Sequence, residues 1–261
     1  MALNNTYDAR LRRETAVGAG GQVLLMALLG LGPAGWLTGL GFACATWVVL
    51  SRAGHRSRLR RLGPANRVTL GRAGLVGGVT ALVADSFASA PPVPVLVVLT
   101  AVALLLDGVD GLVARRTGTA SALGARFDME VDAFLILVLS VYVSARLGPW
   151  VLLIGAMRYA FVAVAWCAPW LTAPLPPSFA RKTVAAVQGV CLLVAGSGLL
   201  PYAAELVVVL LALGSLVWSF GRDVVWLWRT ARASAGVPSG MPGMVPAGRT
   251  RQTRLPEPVA R

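Results

Sequence analysis

Residues 107–132 read DGVDGLVARRTGTASALGARFDMEVD, and they hold four of the seven aspartates in the chain. Apolar stretches precede and follow this segment. An ionisable residue at membrane depth is costly, so it is a functional-site hypothesis by default. Four neighbouring carboxylates also repel one another unless cations lie between them. The segment therefore predicts a divalent-metal site at one end of a bundle of apolar helices.

The composition of the whole chain indicates an integral membrane protein. Of the 261 residues, 56% are hydrophobic and only 13% are charged, whereas soluble domains carry about 25% charged residues. The net charge is +13, and most of the arginines that produce it lie between the apolar stretches. This distribution is typical of cytoplasmic loops that face anionic lipid, and it argues against nucleic-acid binding.

The lengths of the apolar stretches predict an all-α membrane fold with eight helices. A helix that crosses a bilayer needs about 20 mostly apolar residues. The predicted helices lie at residues 17–32, 35–51, 70–88, 93–113, 128–146, 149–169, 183–199 and 202–221. The first two form an N-terminal hairpin that is interrupted at Gly32-Pro33, and the other six form the main bundle.

The chain is predicted to have four parts. They are a cytoplasmic N-terminus at 1–16, a transmembrane hairpin at 17–52, a core at 53–232 and a basic tail at 233–261. The tail is rich in Gly, Pro, Ser and Arg, so we predict that it is disordered. Arginine-rich connections alternate with connections that hold almost no charge. This alternation predicts that both termini and the aspartates lie on the cytoplasmic side of the cell membrane.

The spacing of the four aspartates explains how they could share a site. Asp107 and Asp110 are three residues apart and Asp128 and Asp132 are four apart, so each pair shares one helix face. Carboxylate pairs on neighbouring helices suit hard ions such as Mg²⁺ or Mn²⁺. Two such ions can stabilise both the attacking and the leaving oxygen of a phosphoryl-type displacement. Glu130 is two positions from each neighbouring aspartate, so it should point away from the metals.

This spacing resembles the signature of the CDP-alcohol phosphotransferase family, D-x2-D-G-x2-A-R-x8-G-x3-D-x3-D, at all eight fixed positions. Upstream, residues 66–72 read NRVTLGR. They are similar to the N-x-x-T-x-x-R element that precedes the first core helix of the family. The resemblance covers about residues 60–225, and it implies a six-helix transmembrane core to which the N-terminal pair of helices is an addition.

The resemblance also implies a function in phospholipid biosynthesis, in which an alcohol displaces CMP from a CDP-linked lipid. It implies that two Mg²⁺ or Mn²⁺ ions are held by Asp107, Asp110, Asp128 and Asp132, and that Asp132 is the general base. The CDP group would contact Asn66, Thr69, Gly111, Ala114, Arg115, Ser121 and Gly124.

Three cations outside the signature are candidates for binding the acceptor alcohol. Arg158 lies within an apolar stretch, and Arg181 and Lys182 begin another. These cations suit an acceptor that carries a phosphate, such as glycerol 3-phosphate or inositol phosphate. Arg181 and Lys182 are also typical positive-inside anchors. The acceptor and the lipid part of the donor, for example that of CDP-diacylglycerol, stay open.

Two further alternatives stay open from the sequence. The function could instead be that of a divalent-cation transporter or channel, because acidic residues within spans also line ion paths. Against this alternative, no series of polar residues continues from the aspartates toward the opposite face. Glycine-rich helices are typical both of close packing within one chain and of homodimers, and the sequence does not decide between them.

Overall fold

The described part of the chain consists of eight α-helices and contains no strand. The structure, a computed structural model, describes residues 17–57, 64–117, 122–173 and 179–235. The helices are α1 (Val17–Leu28), α2 (Pro33–Ser57), α3 (Pro64–Asp85), α4 (Val93–Thr117), α5 (Ala122–Leu147), α6 (Leu152–Cys167), α7 (Phe179–Gly196) and α8 (Tyr202–Ala235). Short 3₁₀ turns at Pro149–Val151 and Pro169–Thr172 flank α6. The predicted all-α class is confirmed.

Three helical segments of the described residues are long and apolar enough to cross a bilayer. They are Val68–Asp85, Pro149–Cys167 and Tyr202–Arg232. At 1.5 Å per residue the 34 residues of α8 extend about 50 Å, which exceeds the ~30 Å thickness of a hydrocarbon core. The chain is therefore an integral membrane protein. Crossing by all eight helices stays a prediction, because the other apolar segments are shorter.

Several helices extend beyond the apolar ranges from which they were predicted. α4 continues to Thr117, whereas the prediction ended near residue 113, and α5 begins at Ala122, whereas the prediction began at 128. Hydropathy marks only the lipid-facing portion of a helix, but backbone hydrogen bonds continue through polar and basic residues. As a result Asp128 lies inside α5 and not at its first residue.

The order of packing places α3 and α5 at the centre of the bundle. α3 contacts α2, α4 and α5, while α5 also contacts α6 and α7, and α7 contacts α4 and α8. Buried aliphatic side chains fill the space between these helices, among them Val76, Val79, Leu82, Leu135, Leu139 and Leu192. Because α3 contacts both α4 and α5, side chains of three helices can meet at one end of the bundle.

The N-terminal hairpin of α1 and α2 is packed directly against α3. The Gly32 N–H, at the start of α2, donates a hydrogen bond of 3.1 Å to the Asp85 carboxylate at the end of α3. Within the hairpin, Gln22 Nε2 donates to the carbonyl oxygen of Gly39 at 2.9 Å. A Cβ at Gly77 of α3 would overlap the Gln22 side chain. Small residues therefore allow the hairpin to approach α3 closely, as in other membrane helix pairs.

The contact between α5 and α6 depends on a glycine, and this dependence gives a first testable prediction. A Cβ at Gly155 would lie 2.5 Å from Leu137 Cα and 3.0 Å from Ser140 Oγ. Gly155→Ala should therefore force α5 and α6 apart and lower the free energy of unfolding by about 1–3 kcal/mol. Thermal unfolding of the detergent-purified protein measures this loss.

The matched control is Gly214→Ala in α8, where an added Cβ would meet nothing within 4 Å. Alanine is the better helix former, so the control should unfold at the same temperature as the wild type or slightly higher. Equal unfolding temperatures for Gly155→Ala and the control would contradict the close α5–α6 packing.

Candidate functional site

Three aspartates from two helices that follow each other in the chain meet at one end of the bundle. Asp107 lies on α4, and Asp128 and Asp132 lie on the same face of α5 because they are one turn apart. One carboxylate oxygen of each aspartate lies within 4.8 Å of the other two. The side chains are 39%, 31% and 38% exposed, respectively. We refer to Asp107, Asp128 and Asp132 as the aspartate cluster.

Arg72 of α3 is the cation that this cluster surrounds. Its side chain is 1% exposed, and its guanidinium forms ion pairs with Asp107 and Asp128. Nη2 also lies 3.2 Å from Asp132 Oδ1 and donates to the backbone carbonyl oxygen of Asp128 at 3.3 Å. A buried charge is tolerated only when it is paired and hydrogen-bonded, and the planar fork of arginine suits several carboxylates at once.

The arrangement fits a divalent ion in its donor chemistry and in its charge. The donors are carboxylate oxygens, which are the ligands that Mg²⁺ and Mn²⁺ prefer. A guanidinium already lies against all three aspartates, so the cluster stabilises positive charge in this position. The carboxylates are partly exposed whereas the guanidinium is buried, which leaves them open to an ion from solvent. Asp107, Asp128 and Asp132 could therefore hold a metal ion.

The other residues that the sequence predicts for the site are only partly described. Thr69 is buried in α3, one helical turn before Arg72, and Gly124 is half-buried in the first turn of α5, four residues before Asp128. Thr69 therefore lies on the helix that supplies Arg72, and Gly124 lies on the helix that supplies Asp128 and Asp132. Ser121 lies outside the described residues. The surroundings of six further positions are likewise not described, namely Asn66, Asp110, Gly111, Ala114, Arg115 and Lys182.

The two described candidates for acceptor binding contact other carboxylates. Arg158 of α6 forms an ion pair with Glu130 of α5. Arg181 of α7 lies 3.4 Å from Asp223 of α8. Glu130 thus contacts a neighbouring helix and is not among the grouped carboxylates, as expected from its position between the two aspartates of α5. Acceptor binding by Arg158 and Arg181 stays a prediction.

Arg72 is the residue of this site to which the sequence analysis assigned no role. It appeared there only as the last position of the N-x-x-T-x-x-R element. One further signal was available, because Arg72 lies within an apolar stretch of α3 that is long enough to cross a bilayer. An arginine in such a stretch requires a partner, and four aspartates were the obvious partners.

Comparison with known proteins assigns the chain to a family. The profile of the CDP-alcohol phosphatidyltransferase family matches residues 62–218, which is more than half of the chain. The matched range begins just before α3 and ends within α8, so it contains the whole aspartate cluster and Arg72. Neither the curated proteins nor the solved structures gave a significant match. The chain is a member of the CDP-alcohol phosphatidyltransferase family.

Proposed function

We propose that this protein transfers a phosphatidyl group from a CDP-linked lipid, such as CDP-diacylglycerol, to an alcohol acceptor and releases CMP. The observation that carries the proposal is the aspartate cluster, which gathers carboxylates of α4 and α5 around a buried cation. The family match supports the class of reaction. A site on apolar helices also suits a substrate with a lipid tail and a charged headgroup.

The proposed roles of the site residues are those that the family signature implies. Asp107, Asp110, Asp128 and Asp132 would hold two Mg²⁺ or Mn²⁺ ions. When bound, such ions neutralise the charge of a pyrophosphate and stabilise its displacement. The proposed contacts to the CDP group are Asn66, Thr69, Gly111, Ala114, Arg115, Ser121 and Gly124.

The proposed reaction forms one phosphorus–oxygen bond and breaks another. The acceptor hydroxyl oxygen bonds to the phosphorus that carries the lipid, and the bond from that phosphorus to the oxygen of CMP breaks. Asp132 takes the proton of the hydroxyl as general base, and CMP leaves with the bonding electron pair. The partial exposure of Asp132 is consistent with this role, because a base must be accessible to the acceptor.

The acceptor is proposed to be a phosphorylated alcohol, with glycerol 3-phosphate and inositol phosphate as the two candidates. Arg158, Arg181 and Lys182 are the proposed contacts to its phosphate, because guanidinium groups bind phosphates with paired hydrogen bonds and the lysine ammonium binds them as a point charge. Both termini and the site are proposed to lie on the cytoplasmic side, which is where the arginine-rich connections are expected.

The ion pair between Glu130 and Arg158 gives a prediction about this acceptor. The Glu130 carboxylate pairs with the Arg158 guanidinium, which the acceptor phosphate would also have to bind, so the carboxylate and the phosphate compete for it. Since the pair is partly exposed, its strength is modest, and Glu130→Gln should lower the KM for the phosphorylated acceptor about two- to fivefold. Initial rates of CMP release at varied acceptor concentration measure this KM.

The internal control for Glu130→Gln is the KM for the CDP-linked donor, which should stay unchanged. Arg158→Gln should shift the acceptor KM in the opposite direction. If neither variant changes the acceptor KM, the result would contradict acceptor binding by Arg158. It would not contradict the proposed reaction.

The proposed reaction is tested with the purified protein in detergent, CDP-diacylglycerol, Mn²⁺ and a panel of phosphorylated and unphosphorylated alcohols. We expect CMP release with at least one alcohol, together with a lipid product that contains it. An active family member assayed in parallel shows that the conditions support turnover. The absence of CMP release with every alcohol, alongside activity of that family member, would contradict the proposal.

A further inference from the structure

We infer that the guanidinium of Arg72 substitutes for a divalent ion in the protein without metal, where it holds the aspartate cluster together. When a divalent ion binds, Arg72 competes with that ion for the carboxylates. The guanidinium is the positive charge around which the three aspartates of the cluster are arranged. Arg72 would thus be a positioning residue and not a catalytic one. The inference rests on the metal site of the proposed function but not on its substrates.

In the protein without metal, the guanidinium of Arg72 offsets the repulsion within the aspartate cluster. Three carboxylates with oxygens within 4.8 Å of one another repel strongly when no cation lies among them. Asp107 belongs to α4 whereas the other two belong to α5, so this repulsion would separate two helices. The buried guanidinium of α3 offsets it and joins the three helices at the same point.

Arg72 and a bound metal ion would compete for the same carboxylate atoms. Arg72 contacts an Oδ1 oxygen of each aspartate, and a metal ion held by these side chains would draw on the same carboxylates. Two cations beside the same carboxylates also repel each other. Such coupling is reciprocal: if Arg72 weakens metal binding, then the metal reduces the contribution of Arg72 to stability by the same factor.

The test compares Arg72→Gln with the wild type in the full-length protein, with EDTA and with saturating Mn²⁺. Loss of the cation should lower the unfolding temperature by about 10 °C in EDTA and by about 5–7 °C in Mn²⁺. The Mn²⁺ concentration for half-saturation, measured by electron paramagnetic resonance of the free ion, should fall about tenfold in the variant.

Two further variants serve as controls, one for the loss of any ion pair and one for the charge of Arg72. Arg146→Gln breaks a different ion pair, in which Arg146 lies 3.2 Å from the buried Glu205, and it should lower the unfolding temperature equally in EDTA and in Mn²⁺. Arg146 is about 20 Å along α5 from Asp132, so its removal should leave Mn²⁺ binding unchanged. Arg72→Lys keeps the charge and should remain closer to the wild type in EDTA than Arg72→Gln.

Several outcomes would overturn the inference. For Arg72→Gln, these are an equal decrease of the unfolding temperature in EDTA and in Mn²⁺, weaker Mn²⁺ binding than in the wild type, or failure to fold even with Mn²⁺. For Arg72→Lys, the contradicting outcome is an unfolding temperature in EDTA as low as that of Arg72→Gln. An Arg72→Gln variant that folds only with Mn²⁺ supports it. If the wild type binds Mn²⁺ and releases CMP, such contradictions concern Arg72 alone. If the wild type binds no Mn²⁺, the proposed metal-dependent function fails as well.

Discussion

Replacing Asp132 by asparagine is expected to lower the turnover number for CMP release by about 10²–10⁴-fold, the usual effect of removing a general base. Asparagine has nearly the same size and can still accept a hydrogen bond from Arg72, so the fold should persist. Binding of the CDP-linked donor should also persist, because the proposed contacts to CDP lie on other residues. Single-turnover rates and donor binding by the same preparation measure the two effects separately.

The matched control for Asp132→Asn is Asp85→Asn, at the far end of α3. Asp85 accepts a hydrogen bond from the Gly32 N–H, and an asparagine oxygen can accept the same bond. This variant removes a carboxylate within an apolar helix without touching the cluster, and it should keep the wild-type turnover number. If Asp132→Asn lost donor binding and turnover to the same extent, the role of Asp132 would be mainly to hold metal and not to act as the general base.

Asp128→Asn is the second variant for which we expect a large effect. It removes one of the charges that a divalent ion would require, and ligand charge strongly tunes affinity at such sites. Half-saturation by Mn²⁺ should need at least about tenfold more of the ion. The turnover number should fall about 10²–10³-fold even at saturating Mn²⁺, as for other losses of electrostatic stabilisation.

The nearby carboxylate Glu130 provides the control for metal binding by Asp128. Glu130→Gln also removes a negative charge from α5, but Glu130 contacts Arg158 and not the cluster. Its half-saturation by Mn²⁺ should match that of the wild type. A wild-type Mn²⁺ affinity in Asp128→Asn would place the metal site elsewhere.

The helices and the meeting of the aspartates could be predicted from sequence because both follow from short-range regularities. Apolar stretches of sufficient length predict helices, and spacings of three and four residues place side chains on one helix face. The pair Asp128 and Asp132 illustrates this well, since any α-helix that contains them brings them together. The meeting of Asp107 with this pair additionally requires that α4 and α5 come close at one end of the bundle, which happens because both helices pack against α3.

The rest depended on contacts between residues distant in sequence. Arg72 is 35 residues from Asp107 and 56 residues from Asp128, and its pairing follows from the packing of α3 between α4 and α5. The partners of Arg158 and Arg181 are set in the same way by neighbouring helices. The close contact of Gly155 with Leu137 depends on the distance between the backbones of α5 and α6, which the sequence does not specify. Helix ends were misjudged because hydropathy reports contact with lipid and not backbone hydrogen bonding.

The docking of the N-terminal hairpin against α3 has a consequence for any shortened form of this protein. Of the three candidate spans, that of α3 is the most enclosed, at 56% buried against 17% and 28%. A chain trimmed to the range that the family profile matches would keep every residue of the aspartate cluster. It would nevertheless expose the glycine-rich back of α3 to lipid and leave Asp85 without the Gly32 amide. Arg72 lies on this same helix, so a change in the packing of α3 would shift Arg72 relative to the aspartate cluster, although no residue of the site is deleted.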